Sequence, residues 1–121
     1  MKKSIQETSK SGGLAWFFQR LSAIILFVIV IGHFILYHFI FQGDIQKSDV
    51  LKFTQYSWFS LIQFVFLLTA LYHGLNGTWG VIEDYVHHRI WRLILFSLVI
   101  TAGTGLLFVG TLTIIRVSSI A

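Results

Sequence analysis

The sequence predicts an all-α membrane protein with three transmembrane helices, and three observations carry that expectation. Apolar residues make up 55% of the 121 residues and charged residues only 12%, against about 25% charged in a soluble domain. Three apolar runs, Leu14–Phe41, Trp58–Val81 and Ile90–Val117, each exceed the ~20 residues that cross a bilayer as a helix. No proline interrupts them. Backbone groups in hydrocarbon must pair within their own segment, which leaves helices rather than open strands.

The chain divides into a polar tail, residues 1–13, and a three-helix anchor domain, residues 14–121. The tail, MKKSIQETSKSGG, has too little apolar surface to hold a fold by itself and is expected to order only against a partner. Trp16 opens the first span, and Trp58 and Trp91 mark the other two at the interface, where amphipathic indoles reside. The first span is about twice the length of a signal-peptide core and lacks a small-residue cleavage site. The segment after it is polar, except for an amphipathic VLKF that suits the membrane surface. The third span carries Ser97, Thr101, Gly103, Thr104, Gly105, Gly110 and Thr111, small and hydroxyl residues that let membrane helices approach closely. Three helices enclose little, so the chain reads as part of a larger assembly.

Charge sets the orientation. Net charge is +4. Lys2, Lys3, Lys10, Arg20, Arg89 and Arg92 fall on one side, and Lys47, Lys52 and Arg116 on the other. Six against three puts the N-terminus and the 82–89 loop in the cytoplasm, or in the matrix of an organelle, with the C-terminus opposite. The basic residues flank membrane spans, so lipid rather than nucleic acid accounts for them. The chain has no cysteine, which excludes disulfides, iron–sulfur ligation by this chain and haem attached through C-x-x-C-H.

Ionisable residues within a span are costly and mark function by default. His73 shares a helix face with Asn76, Gly77, Gly80 and Asp84, all within about 60° of it. A glycine one turn from a buried imidazole leaves flat space of the kind a haem ring needs, and a neutral imidazole is a common axial ligand. Interhelical hydrogen bonding and proton relay are the other readings of His73. His33 and His38 point about 140° apart, so one faces the bundle and the other a partner or the far interface. His33 lies ~12 Å from His73 in depth, too far to clamp one iron. Arg20 either snorkels to headgroups or forks onto a carboxylate such as a haem propionate. Asp84 gains nothing from the dipole at a helix C-terminus. With Tyr85 beside it, the pair could hold a quinone carbonyl and manage its protons. Glu83, His87, His88 and Arg89 read as a solvated loop or a docking surface.

Two segments, AWFFQRLSAIILFVIVIGHFILYH and HGLNGTWGVIEDYV, resemble the membrane anchor subunits of succinate dehydrogenase, the succinate:quinone oxidoreductase of respiratory chains. The smaller cytochrome b anchor is the nearer likeness. The first segment is similar to the family's aromatic–Arg–x–Ser start followed by Gly-His, and the second to its histidine followed eleven residues later by Asp-Tyr. The likeness spans roughly residues 16–86. It implies a complex with a flavoprotein subunit, an iron–sulfur subunit and a second membrane anchor, and allows a trimer of whole complexes. It implies one or two b-type haems shared with the second anchor, and a ubiquinone or menaquinone site. By the same resemblance, His73 ligates the haem nearer the iron–sulfur subunit and His33, preferred to His38, the outer haem. Gly77 lies beside the inner haem, Arg20 contacts a propionate or the quinone entrance, and Asp84 and Tyr85 line the quinone pocket. Trp79 departs from the family, which often carries a basic residue there. The chain has no flavin or succinate motif, so it is not a dehydrogenase alone.

Two other functions compete with this reading: a haem-free tether of a respiratory dehydrogenase, and a small proton-conducting subunit using His73 and Asp84 as a relay. The expected location is the cytoplasmic membrane of a cell, or the mitochondrial inner membrane in a eukaryote.

Overall fold

A helix is held by its i→i+4 hydrogen bonds, not by hydropathy, so it can run past the apolar stretch that reveals it. All three spans do. The computed structural model describes residues 4–42 and 46–120, with side chains from Gly12 onward. Helix α1 covers Ser4–Ile35, α2 Lys47–Thr54, α3 Ser57–Tyr85 and α4 Arg89–Ile120. Between α1 and α2, Leu36–Ile40 forms a π turn that carries His38. The apolar parts able to cross a membrane are Gly12–Ile40, Ser57–Tyr85 and Arg89–Ile120, so the chain is an all-helical, multi-pass membrane protein. Helix α1 also runs through much of the segment read from sequence as a polar tail. Lys2 and Lys3, which contribute to the charge asymmetry, lie outside the described residues, as do residues 43–45 of the first connection.

The first span ends at Gln42, whose φ of 51° is left-handed. That conformation stops a helix, at a cost of roughly 1–2 kcal/mol for a residue with a side chain. The amphipathic segment expected at the surface is α2. Its first turn is closed by the Gln46 backbone N–H, which donates to the Asp49 carboxylate at 3.3 Å. Lys52 pairs with Asp49 at 3.8 Å. Phe53 turns inward between Phe41 and Phe59, with ring centroids 5.5 and 5.8 Å away.

Helix α3 is the middle of the bundle, packing antiparallel to α1 on one side and to α4 on the other. Among the described residues, α1 and α4 do not meet. The α3–α4 contact is a pair of knobs. A Cβ added at Gly103 would stand 2.8 Å from the Leu75 side chain, and one at Gly110 would stand 2.8 Å from Leu67. Bare glycines therefore receive two leucines, the close approach expected of the third span. Gly105, by contrast, faces open space. Phe59 and Ile82 are the buried large apolar residues among those described. Most of the large apolar side chains are exposed, which costs little where the surroundings are lipid tails.

Candidate functional site

The α1–α3 interface carries the chemistry at the end where α1 enters and α3 leaves the span. Ser22 is 5% exposed. Its hydroxyl donates to the Gln19 carbonyl at 2.9 Å and lies 3.1 Å from His73 Nδ1. The Gln19 amide nitrogen donates to the His73 carbonyl at 3.2 Å. Its amide oxygen accepts from Asn76 at 2.8 Å. These bonds form a closed polar ring between two helices that are otherwise apolar. Three of them cross the interface. Each such bond within a membrane contributes about 0.6 kcal/mol on average.

A cleft of about 1030 Å³ opens beside this ring. Arg20, His73, Gly77 and Asp84 all line it, together with Gly80 and Trp79. The Arg20 guanidinium rests over the Trp16 ring at 4.3 Å from the centroid. That stacking draws the cation along α1 and keeps it at the cleft. Gly77 does not supply the empty flat space expected of it. A Cβ there would stand 3.2 Å from Gln19 Nε2, so the glycine admits the glutamine to the α3 backbone. The open space lies at Gly80, where nothing comes within 4 Å of an added Cβ.

Tyr85 is the last residue of α3 and is 79% exposed. It stands beside Asp84 at the cleft's mouth but does not line it. The turn that follows is clamped by Arg92, which donates to the Val86 carbonyl through Nε at 3.2 Å and NH2 at 3.0 Å. The arginine satisfies orphan carbonyls at the end of α3. Arg92 therefore has a structural task beyond the charge count. Trp79 packs edge-on against Phe96 at 4.8 Å, facing α4 rather than a propionate-binding cation.

His33 belongs to another cleft, of about 450 Å³, lined by apolar residues from α1, α2 and α3. Its ring is stacked between Tyr37 and Phe66, with centroids 5.6 and 6.3 Å away. Its Nδ1 is 3.3 Å from the Ile29 carbonyl. A carbonyl only accepts, so Nδ1 is the donor in this contact. His38 is exposed and stacks on Phe34. Phe66 is seven residues from His73 on α3, so the two histidine sites are roughly 10 Å apart along the helix.

Gln19 was not picked out by sequence reading, and Ser22 entered only as the serine of the aromatic–Arg–x–Ser pattern, with no role of its own. The available signal was weak: two polar residues three apart, hence on one face, inside an apolar run.

A family model described as succinate dehydrogenase/fumarate reductase transmembrane subunit matches residues 3–111. The chain belongs to that family. The match is wider than the two segments that suggested the resemblance, and it takes in most of α4. The protein is thus a transmembrane subunit of the succinate dehydrogenase/fumarate reductase type, a family whose members work in complexes with other subunits. A search of curated proteins returns no match to the chain.

Proposed function

We propose that this subunit supplies His73 as one axial ligand of a b-type haem, and Asp84 and Tyr85 to a quinone site at the same end of the bundle. The observation that supports this most is the cleft: its lining brings together an imidazole, a guanidinium, an open glycine and a carboxylate from α1 and α3. A haem uses the first three, for its iron, its propionates and its flat ring, and the carboxylate belongs to the quinone site. The chain offers no cluster of three metal-ligating side chains among the described residues, which suits a cofactor that takes one ligand here and another elsewhere. When bound, the haem supplies a one-electron store between the iron–sulfur subunit and the quinone.

The residues divide the work. His73 presents Nε2 to the cleft. Arg20, held by Trp16, forks onto a carboxylate. Gly80 allows a ring to lie flat, and Gly77 acts at one remove by admitting Gln19. Tyr85 donates its hydroxyl proton to a quinone carbonyl, and Asp84 passes protons from the aqueous side. Ubiquinone and menaquinone both suit that chemistry. His33 is the ligand for a second, outer haem. A second membrane anchor would cover the open side of the cleft and would supply the other ligand to the haem. The flavoprotein and iron–sulfur subunits dock at the end bearing Asp84. The charge bias makes that end cytoplasmic, or matrix-facing in a mitochondrion.

The test is a reduced-minus-oxidised visible spectrum of the purified complex, with haem counted per copy of this chain. His73→Ala should remove one haem. Normal haem content in that variant would sink the ligand assignment.

A further inference from the structure

We infer that Ser22 is a positioning residue for His73: it fixes the protonated nitrogen and the plane of the imidazole, so that Nε2 meets the cleft with its lone pair. This deepens the haem reading above and rests on it. The inference follows from proton counting. A serine hydroxyl has one proton, and Ser22 gives it to the Gln19 carbonyl at 2.9 Å. Towards His73 Nδ1, 3.1 Å away, the hydroxyl oxygen has only lone pairs left. While Ser22 keeps its bond to the Gln19 carbonyl, Nδ1 is the donor. A neutral imidazole has one N–H, so Nε2 is the unprotonated nitrogen. The opposite tautomer would set two lone pairs against each other, unless Ser22 gave up its bond to Gln19.

The geometry is locked from two further directions. Ser22 is almost wholly buried, which limits the access of water to its hydroxyl. Gln19 cannot be turned over, because the His73 carbonyl accepts only from its amide nitrogen and Asn76 then donates to its oxygen. Among the described residues Nε2 itself has no protein partner. A histidine whose second N–H donates to an oxygen is also the more basic ligand. That basicity favours the oxidised, more positive state of a bound iron and lowers its potential.

The experiment is a redox titration of the haem in the purified complex, run on wild type, Ser22→Ala and Ser22→Thr. Ser22→Ala should raise the midpoint potential by about 59 mV, a tenfold change in the reduced-to-oxidised ratio for one electron. It should also weaken haem retention by about 10- to 100-fold. Ser22→Thr keeps the hydroxyl and should restore the wild-type potential, which a purely structural role would not require. A Ser22→Ala complex with wild-type potential and haem content overturns the inference. Should the alanine variant fail to assemble, Ser22→Cys replaces it, since its sulfur is a weaker acceptor. A raised potential in Ser22→Cys with a normal one in Ser22→Thr supports the inference, and normal potentials in both overturn it. Normal haem content in His73→Ala would instead remove the haem reading on which all of this stands, so the two failures are distinguishable.

Discussion

The two ends of the α1–α3 interface hold a histidine each, and they hold it by different means. At His73 the ring and the backbone carbonyl are both bonded across to α1, through Ser22 and Gln19. At His33 the hydrogen bond among the described residues goes to Ile29 of its own helix, and α3 contributes apolar surface, the flank of Phe66 included. A bond within one helix turns with that helix. A bond across two helices fixes the ring and the register of the pair together. Stacking at 6.3 Å adds about 0.5–1.5 kcal/mol without choosing a rotation so sharply. The difference teaches that His73 is a preorganised site, whereas His33 depends on what comes to lie beside it.

The largest effect that could break this contrast is the loss of cofactor. His73→Ala should abolish one haem signal completely, and His33→Ala should leave that signal intact while removing any second one. Loss of the same signal in both variants would erase the distinction between the two ends. Next in size, Tyr85→Phe should lower quinone reduction by about 100-fold, the low end for a lost proton donor, with haem content unchanged. Steady-state quinone turnover beside a visible spectrum checks both halves of that statement. Gln19→Leu comes third. It removes two interhelical bonds and strands Asn76, and should lower the stability of the assembled subunit by about 1–3 kcal/mol, read as a lower midpoint in thermal unfolding of the complex. The smallest effect sharpens the comparison from the other side. Tyr37→Leu takes one ring from the His33 stack and should cost only about 0.5–1 kcal/mol by the same melt.

The three spans were legible in the sequence because a run of twenty or more apolar residues has few other fates. Their ends were less so. The apolar run stops at Val81, yet α3 continues through Glu83, Asp84 and Tyr85, as the reading of Asp84 at a helix C-terminus implied, because ladder hydrogen bonds persist after hydropathy has fallen. The π turn at Leu36–Ile40 has no signature in an unbroken run such as LYHFI. The stripe from His73 to Asp84 was readable from 3.6-residue periodicity alone, since all its members sit on one helix. Gln19 and Ser22 were a different problem. Their role depends on which residues of α3 come opposite, and that register is a property of two helices. Gly77 shows the same limit. Its lack of a side chain was noticed, but the group that fills the space comes from α1. Pattern left haem ligation by His73 beside hydrogen bonding and proton relay, and the family resemblance chose among these readings and supplied the partner subunits.

The Arg92 clamp has a consequence in time rather than in space. Helix ends ordinarily fray, and short loops wander on nanosecond to microsecond scales. Asp84 and Tyr85 sit on the last turn of α3, where fraying would scatter them. Arg92 reaches back from the next helix to the Val86 carbonyl, and at 3.5 Å to that of Glu83. The turn between α3 and α4 therefore closes on both helices at once. The proton-handling pair proposed there would be in position when a substrate arrives, with no fraction of encounters lost waiting for the helix end to form.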